Sequence, residues 1–147
     1  MSEKLKLLLE SAIKEEEYAY QLYTAAMGKT STDSVRKALK ELAEQEKMHK
    51  EKLETLDAGK LGKFVTPDRI EKIDIADELL LTPIDEFNDL KQVFQFAIKK
   101  EIETREMYQD MANSVGDDNV KKLLNTLASE EARHEAMLRD LLKQIEI

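Results

Sequence analysis

The sequence of 147 residues lacks cysteine and tryptophan and contains only four glycines and two prolines. Without cysteine, the chain can form no disulfide, no thiolate zinc site and no iron–sulfur cluster. The scarcity of glycine and proline, together with 37% charged residues, favours long helices over strands or disorder. These features predict an all-α fold, and the length predicts a single domain over residues 1–147 with a substantial core.

Long apolar runs are also missing, so we expect no membrane partner. Residues 1–10 have neither the apolar core nor the cleavage site of a signal peptide, and a cytoplasmic location is therefore the default expectation. The formal net charge of −8 at pH 7 argues against nucleic acid as a partner, because phosphate groups would repel such a chain. Metal cations are the more natural ligands of this acidic protein.

A Glu-x-x-His spacing occurs twice in the sequence. Glu46 and His49 form it within the segment LAEQEKMHKEKLETL, and Glu131 and His134 form it within LASEEARHEAMLRDL. The interval from Glu46 to Glu131 equals the interval from His49 to His134. The chain contains no other histidine. This common separation is called the repeat interval below. A spacing of three residues lets one helical turn present a carboxylate and an imidazole to the same metal ion.

The repeat interval also relates two further segments. AIKEEEYAYQLY aligns with AIKKEIETREMY, so that Glu16 aligns with Glu101 and Tyr23 with Tyr108. The sequence therefore reads as two copies of one helix pair. Each copy contributes two carboxylates and one imidazole.

Apolar residues recur at helical spacing in four stretches. The third helix is expected to begin between Pro83 and Asn88, with Thr82, Asp85 and Asn88 as competing caps. Residues 57–87 are too many for an ordinary turn between helices, and they predict a crossover along a bundle about 35 Å long. The predicted helix pairs are approximately residues 3–56 and 88–146, with a break at Gly28 in the first pair and a short turn at Gly116, Asp117 and Asp118 in the second.

Six polar side chains interrupt the apolar stripes of these helices. Four ionised carboxylates without partners in a core would each cost several kcal/mol and would repel one another. Two divalent cations would cancel their charge, and oxygen and nitrogen donors in a bundle interior favour iron or manganese, with zinc possible. Taken singly, each residue is better explained as a surface or packing residue, but the constant offset makes coincidence a poor explanation. The candidate metal ligands, called the six-residue cluster below, are Glu16, Glu46, His49, Glu101, Glu131 and His134.

Tyr23 and Tyr108 follow Glu16 and Glu101 by seven residues. Two helical turns place each phenol on the ligand face, about 10 Å along the helix. Each tyrosine could donate a hydrogen bond to a ligand carboxylate from a neighbouring helix. An aromatic side chain that only fills the core is the alternative.

One Glu on each of two helices and Glu-x-x-His on the other two resembles the di-metal arrangement of the ferritin-like proteins, and AIKEEEYAYQLY is most similar to the rubrerythrin group. The resemblance implies a ferritin-like four-helix bundle, commonly a homodimer, with a di-iron centre. Such a centre reduces hydrogen peroxide, or reacts with dioxygen, in the response to oxidative stress. Glu16 and Glu101 would then be terminal ligands. Glu46 and Glu131 would bridge the metals, and each histidine would bind one.

Two departures from the rubrerythrin pattern bear on function. Rubrerythrins carry a rubredoxin domain whose four cysteines deliver electrons, so this chain would need an external electron-donor protein. They also have a further carboxylate about one turn after the third-helix ligand, where this sequence has Thr104. The symmetric ligand set is similar to that of bacterioferritin as well. Non-enzymatic binding or storage of iron or manganese, and a helical interaction module with a vestigial site, are therefore the alternatives to an oxidoreductase.

Overall fold

The computed structural model describes residues 3–56 and 87–145. Both ranges are almost entirely helical and contain no β-strand, which confirms the all-α prediction. None of the helices in these ranges combines the length and apolarity needed to cross a membrane. The four helices are α1 (Glu3–Met27), α2 (Asp33–Glu54), α3 (Leu90–Ser114) and α4 (Asp118–Ile145).

The start of α3 differs from the prediction. The carboxylate of Asp89 accepts a hydrogen bond of 2.9 Å from the backbone N–H of Gln92, so Asp89 is the N-cap. Asn88, the candidate cap within the described residues, precedes this position and donates its own N–H to the side chain of Gln92. The other candidates, Thr82 and Asp85, lie outside the described residues. The predicted start was therefore too early.

Each helix pair of the sequence repeat forms one packed unit. α1 lies along α2 and α3 along α4, while α1 also contacts α3 and α2 contacts α4. Tyr23 near the end of α1 bonds Glu101 in the middle of α3, and Tyr108 near the end of α3 bonds Glu16 in the middle of α1. The two helices are therefore antiparallel. The end of α2 and the start of α3 lie at opposite ends of the bundle, as a crossover requires, and the connection itself falls outside the described residues.

The apolar core consists of two clusters, one toward each end of the bundle. The first includes Leu8, Leu53 and Leu127, and the second includes Leu42 and Phe94. The repeated Glu-x-x-His segments fall between these clusters along α2 and α4. Buried apolar side chains therefore flank the middle of the bundle toward both of its ends.

Leu42 and Leu127 occupy equivalent positions of the repeat, and both are fully buried. We expect Leu42→Ala and Leu127→Ala each to lower the free energy of unfolding by about 2–5 kcal/mol, because each leaves a cavity in one cluster. Urea denaturation of the metal-free protein measures both values. Leu7→Ala is the control, since Leu7 is 46% exposed and its loss should change stability by roughly 0.5 kcal/mol or less. Equal stability of wild type and either core variant would contradict the assignment of two cores.

Candidate metal centre

The structure brings the six-residue cluster together in the middle of the bundle. Each of its side chains is at most 2% exposed. α1 and α3 contribute one carboxylate each, while α2 and α4 contribute a carboxylate and an imidazole each. The helical periodicity explains this placement, because every member continues the apolar stripe that faces the bundle axis.

The cluster divides into two groups of four potential ligands. Glu16 and His49 belong to one group, and Glu101 and His134 belong to the other. Glu46 and Glu131 belong to both groups. Within each group, the donor atoms all lie within 4.8 Å of one another. Two neighbouring cations that share two carboxylates would be accommodated by this arrangement.

Both histidines direct Nδ1 into the cluster. Nδ1 of His49 lies 2.8 Å from an oxygen of Glu131 and 3.5 Å from one of Glu16. Nδ1 of His134 lies 2.6 Å from an oxygen of Glu46 and 3.7 Å from one of Glu101. The two rings are stacked, with centroids 5.6 Å apart and planes inclined by 14°. Each imidazole thus presents a donor atom to a different group of carboxylates.

The outer nitrogen of each histidine contacts a residue that the sequence analysis did not identify. Nε2 of His49 is hydrogen-bonded to the carboxylate of Glu130, and Nε2 of His134 is hydrogen-bonded to the amide oxygen of Gln45. A proton on Nε2 leaves the lone pair of Nδ1 facing the cluster. The sequence did contain a signal, since the repeat interval also relates Gln45 to Glu130.

The two tyrosines reach across between α1 and α3. The hydroxyl of Tyr23 donates a hydrogen bond of 2.6 Å to Glu101, and that of Tyr108 donates one of 2.5 Å to Glu16. Burial raises the pKa of both phenols well above its usual value, and the nearby glutamate charges raise it further. Both hydroxyls therefore remain protonated donors. The aromatic rings also pack in the two apolar clusters.

Several buried atoms of the cluster that could bind a metal ion have no hydrogen-bond partner among the described residues. They include Oε2 of Glu16, Oε1 of Glu46, Oε2 of Glu101 and Nδ1 of His134. Glu46 Oε1 and His134 Nδ1 are only 2.6 Å apart, and both are acceptors when the proton of the imidazole is on Nε2. Such a pair is stable only with a proton or a cation between the two atoms. The donor set therefore fits a pair of metal ions.

The carboxylates of the cluster respond differently to their surroundings. Burial raises the pKa of Glu46 well above its usual range, and the negative charges of Glu101 and Glu16 add to this effect. Burial likewise raises the pKa of Glu101. Burial also acts to raise the pKa of Glu16, but hydrogen bonds with Glu46, His49 and Tyr108 bring it below the usual value. Without metal, burial and mutual repulsion therefore oppose full ionisation of the cluster.

A narrow cavity, partly open to solvent, extends to the cluster between α1 and α3; its volume of about 10 Å³ is roughly the space that one water molecule needs. Thr104, Glu15 and Lys100 are among its lining residues.

Nζ of Lys100 lies 3.0 Å from Glu15 and 3.3 Å from Glu103. Burial raises the pKa of Glu15 to about 7, although the charge of Lys100 opposes this shift. The sequence analysis missed this buried ion pair, although the repeat interval also aligns Glu15 with Lys100.

Comparisons with known proteins identify the family and the fold. A family model described as Rubrerythrin matches residues 6–142. No curated protein sequence matches the chain. A solved hypothetical protein from Pyrococcus furiosus has a TM-score of 0.69 and 22% identity, over 95% of this chain and 88% of that one. A structure from Bacteroides fragilis, described as a dodecameric thioferritin and bacterioferritin-related protein, has a TM-score of 0.67 and 22% identity, over 97% and 88% of the respective chains. The ferritin-like four-helix bundle predicted from the sequence is confirmed.

The metal-free protein should lose stability as pH rises from about 5 to about 8. Burial raises the pKa of Glu46. Burial acts to lower the pKa of His49, but its contacts with Glu16 and Glu130 outweigh this effect and raise it. Both groups hold protons in the folded state that the unfolded chain releases at lower pH, so their contribution disappears as pH rises. The lowered pKa of Glu16 acts in the opposite direction, but below this window. Thermal unfolding at pH 6 and pH 8 measures the trend.

Mn²⁺ should raise the melting temperature more at pH 8 than at pH 6, because protons on Glu46 and His49 compete with the cation. Glu46→Gln should flatten the pH dependence of the metal-free protein. Glu44→Gln is the matched control, because it removes an exposed carboxylate from the same helix. A melting temperature that rises with pH in the metal-free wild type would refute this account of the cluster.

Proposed function

Because this chain belongs to the rubrerythrin family, we propose that it is a di-iron carboxylate oxidoreductase that reduces hydrogen peroxide or reacts with dioxygen. The observation that carries the proposal is the pair of buried donor groups that share Glu46 and Glu131. Four carboxylates and two imidazoles supply hard oxygen and intermediate nitrogen donors, which suit iron. Manganese, a mixed pair or zinc would also be compatible with these donors.

In this proposal, the residues at the middle of the bundle hold the two ions. Glu16 and Glu101 would be terminal carboxylates, and Glu46 and Glu131 would be shared by the two ions. Each histidine would bind one ion through Nδ1, the nitrogen that faces the carboxylates. The assignment is supported by the membership of each residue in one or both donor groups.

Two ferrous ions held there would supply the two electrons that, with two protons, convert one hydrogen peroxide to two waters. The tyrosine hydroxyls orient the terminal carboxylates, because each donates a hydrogen bond to one of them. The cavity bordered by Thr104 provides a path for a small oxidant, and the two apolar clusters keep bulk water from the other sides.

Re-reduction requires an external electron-donor protein in this proposal, since the chain has no cysteine for a rubredoxin-type site. We also propose a homodimer, as the family resemblance implies. The related fold described as a dodecameric thioferritin makes a larger assembly the alternative. Light scattering of the purified protein distinguishes the two.

Binding or storage of iron or manganese without catalysis is the second candidate. It is favoured by Thr104, a buried residue that borders the cavity at the position where the family resemblance implies a further carboxylate. Without that carboxylate, the site has one fewer ligand for an oxidised ion. The two candidates make different predictions about repeated turnover.

Anaerobically prepared ferrous protein, mixed with hydrogen peroxide and an excess of a chemical reductant, should consume many peroxides per protein. A storage protein would consume only one peroxide per pair of ferrous ions and then stop. Peroxide consumption and iron oxidation, followed together, separate these outcomes. Glu131→Gln should abolish turnover and lower the amount of bound iron, because Glu131 belongs to both donor groups. Glu44→Gln, which changes an exposed residue, should leave both unchanged.

Tyr108→Phe should weaken metal binding by roughly 10- to 100-fold, since it removes the hydrogen bond to Glu16 and keeps the aromatic ring in the core. Tyr20→Phe is a suitable control, because Tyr20 is half-buried and not among the residues that line the cavity. Chelator competition gives the affinities of both variants. Unchanged affinity in Tyr108→Phe would mean that this phenol serves packing alone.

A further inference from the structure

The two halves of the metal centre differ in the group that accepts the outer N–H of each histidine. At His49 the acceptor is the carboxylate of Glu130, which is 29% exposed. At His134 the acceptor is the neutral amide of Gln45. These two acceptors occupy equivalent positions of the sequence repeat. The repeat is therefore symmetric in its six potential ligands but asymmetric in charge immediately outside them.

The amide of Gln45 is held in one orientation by its other contacts. Its nitrogen donates to Glu41 at 3.3 Å, and its oxygen accepts from the guanidinium of Arg133 at 2.9 Å. The same oxygen therefore accepts hydrogen bonds from both His134 and the guanidinium group of Arg133. In the other half, the repeat places Met48 at the position of Arg133. Met48 is 52% exposed and carries no charge.

Both differences favour one metal position over the other. A carboxylate that accepts the Nε2 proton makes the imidazole a stronger donor at Nδ1, and it adds a negative charge close to the ion. An amide oxygen that already accepts a hydrogen bond from a guanidinium is a weaker acceptor, so it increases the donor strength of His134 less. The cation at His49 is therefore stabilised relative to the cation at His134.

The two positions are matched in the types of their potential ligands. Each group contains one terminal glutamate that accepts a tyrosine hydrogen bond, and both groups share the same two carboxylates. The buried cation Lys100 lies within 3.3 Å of two carboxylates, those of Glu15 and Glu103, so its charge is compensated locally. The outer acceptors are thus the principal difference between the halves.

We infer that the two metal positions have unequal affinity, and that a divalent cation fills the position at His49 before the position at His134. The inference rests on the two-metal site of the proposed function and adds an order of filling to it. An asymmetric centre can hold one ion firmly while the other exchanges or is lost.

The two histidines of the chain make this order directly measurable. Zn²⁺, which is diamagnetic, is added stepwise to metal-free protein labelled with ¹⁵N at histidine, and the two imidazoles are followed by NMR. The signals of His49 should shift during the first equivalent and those of His134 during the second. Chelator competition should give affinities that differ by roughly 10- to 100-fold.

Exchange of the two acceptors should reverse the order. Glu130→Gln should weaken the first binding step, and Gln45→Glu should strengthen the second. The double variant should fill the position at His134 first. Asp140→Asn is the matched control, because it removes an exposed carboxylate from α4 about 15 Å along the helix from Glu130. It should leave both binding steps as in the wild type.

The outcomes distinguish failure of this inference from failure of the proposed two-metal site. Simultaneous filling of both positions in the wild type, or an unchanged order in the double variant, overturns the inference and leaves a two-metal site. Failure of the wild-type protein to bind any Zn²⁺ overturns both. The two partly exposed substitutions preserve side-chain size, and circular dichroism of each variant verifies that the helices are retained.

Discussion

The repulsion among four buried carboxylates is the constraint on which the rest of this structure depends. Glu16, Glu46, Glu101 and Glu131 lie in the middle of an apolar bundle, where their charges are poorly screened. Without metal, the cluster can exist only by retaining protons, as the raised pKa of Glu46 indicates. Positive charge from two cations would remove that penalty. Metal binding at this cluster would therefore be coupled to folding.

The internal repeat explains how a chain of this length builds such a centre. A single helix pair could not enclose the cluster, because each histidine faces a carboxylate from the other pair: His49 contacts Glu131, and His134 contacts Glu46. The tyrosines also cross from one pair to the other. Each half thus supplies carboxylates that contact the histidine of its counterpart and a tyrosine hydroxyl that bonds its carboxylate. The points at which the halves differ, at Gln45 and Glu130 above all, are where the two metal positions can acquire different properties.

Sequence reasoning succeeded where the signal was periodic or repeated. The helices followed from the spacing of apolar residues, and the six-residue cluster followed from residues that break that spacing at a constant interval. The sequence did not predict contacts between charged residues that resemble ordinary surface residues. Glu15 and Lys100 stand in strongly charged segments, and only the packing of α1 against α3 buries them together. The start of α3 was misplaced because the residue that caps its first turn, Asp89, was not among the candidate caps taken from the sequence.

The sequence by itself determined that four helices would form and which six polar side chains would face the bundle axis, because helical periodicity relates the position of a residue directly to its face. Only the tertiary structure decided which carboxylate meets which imidazole, which two acids belong to both donor groups, and which neighbours accept the outer proton of each histidine. Those relations depend on how one helix pair is shifted along the bundle axis, and rotated, relative to the other. Register of that kind results from the packing of two apolar clusters and has no signature in the local sequence.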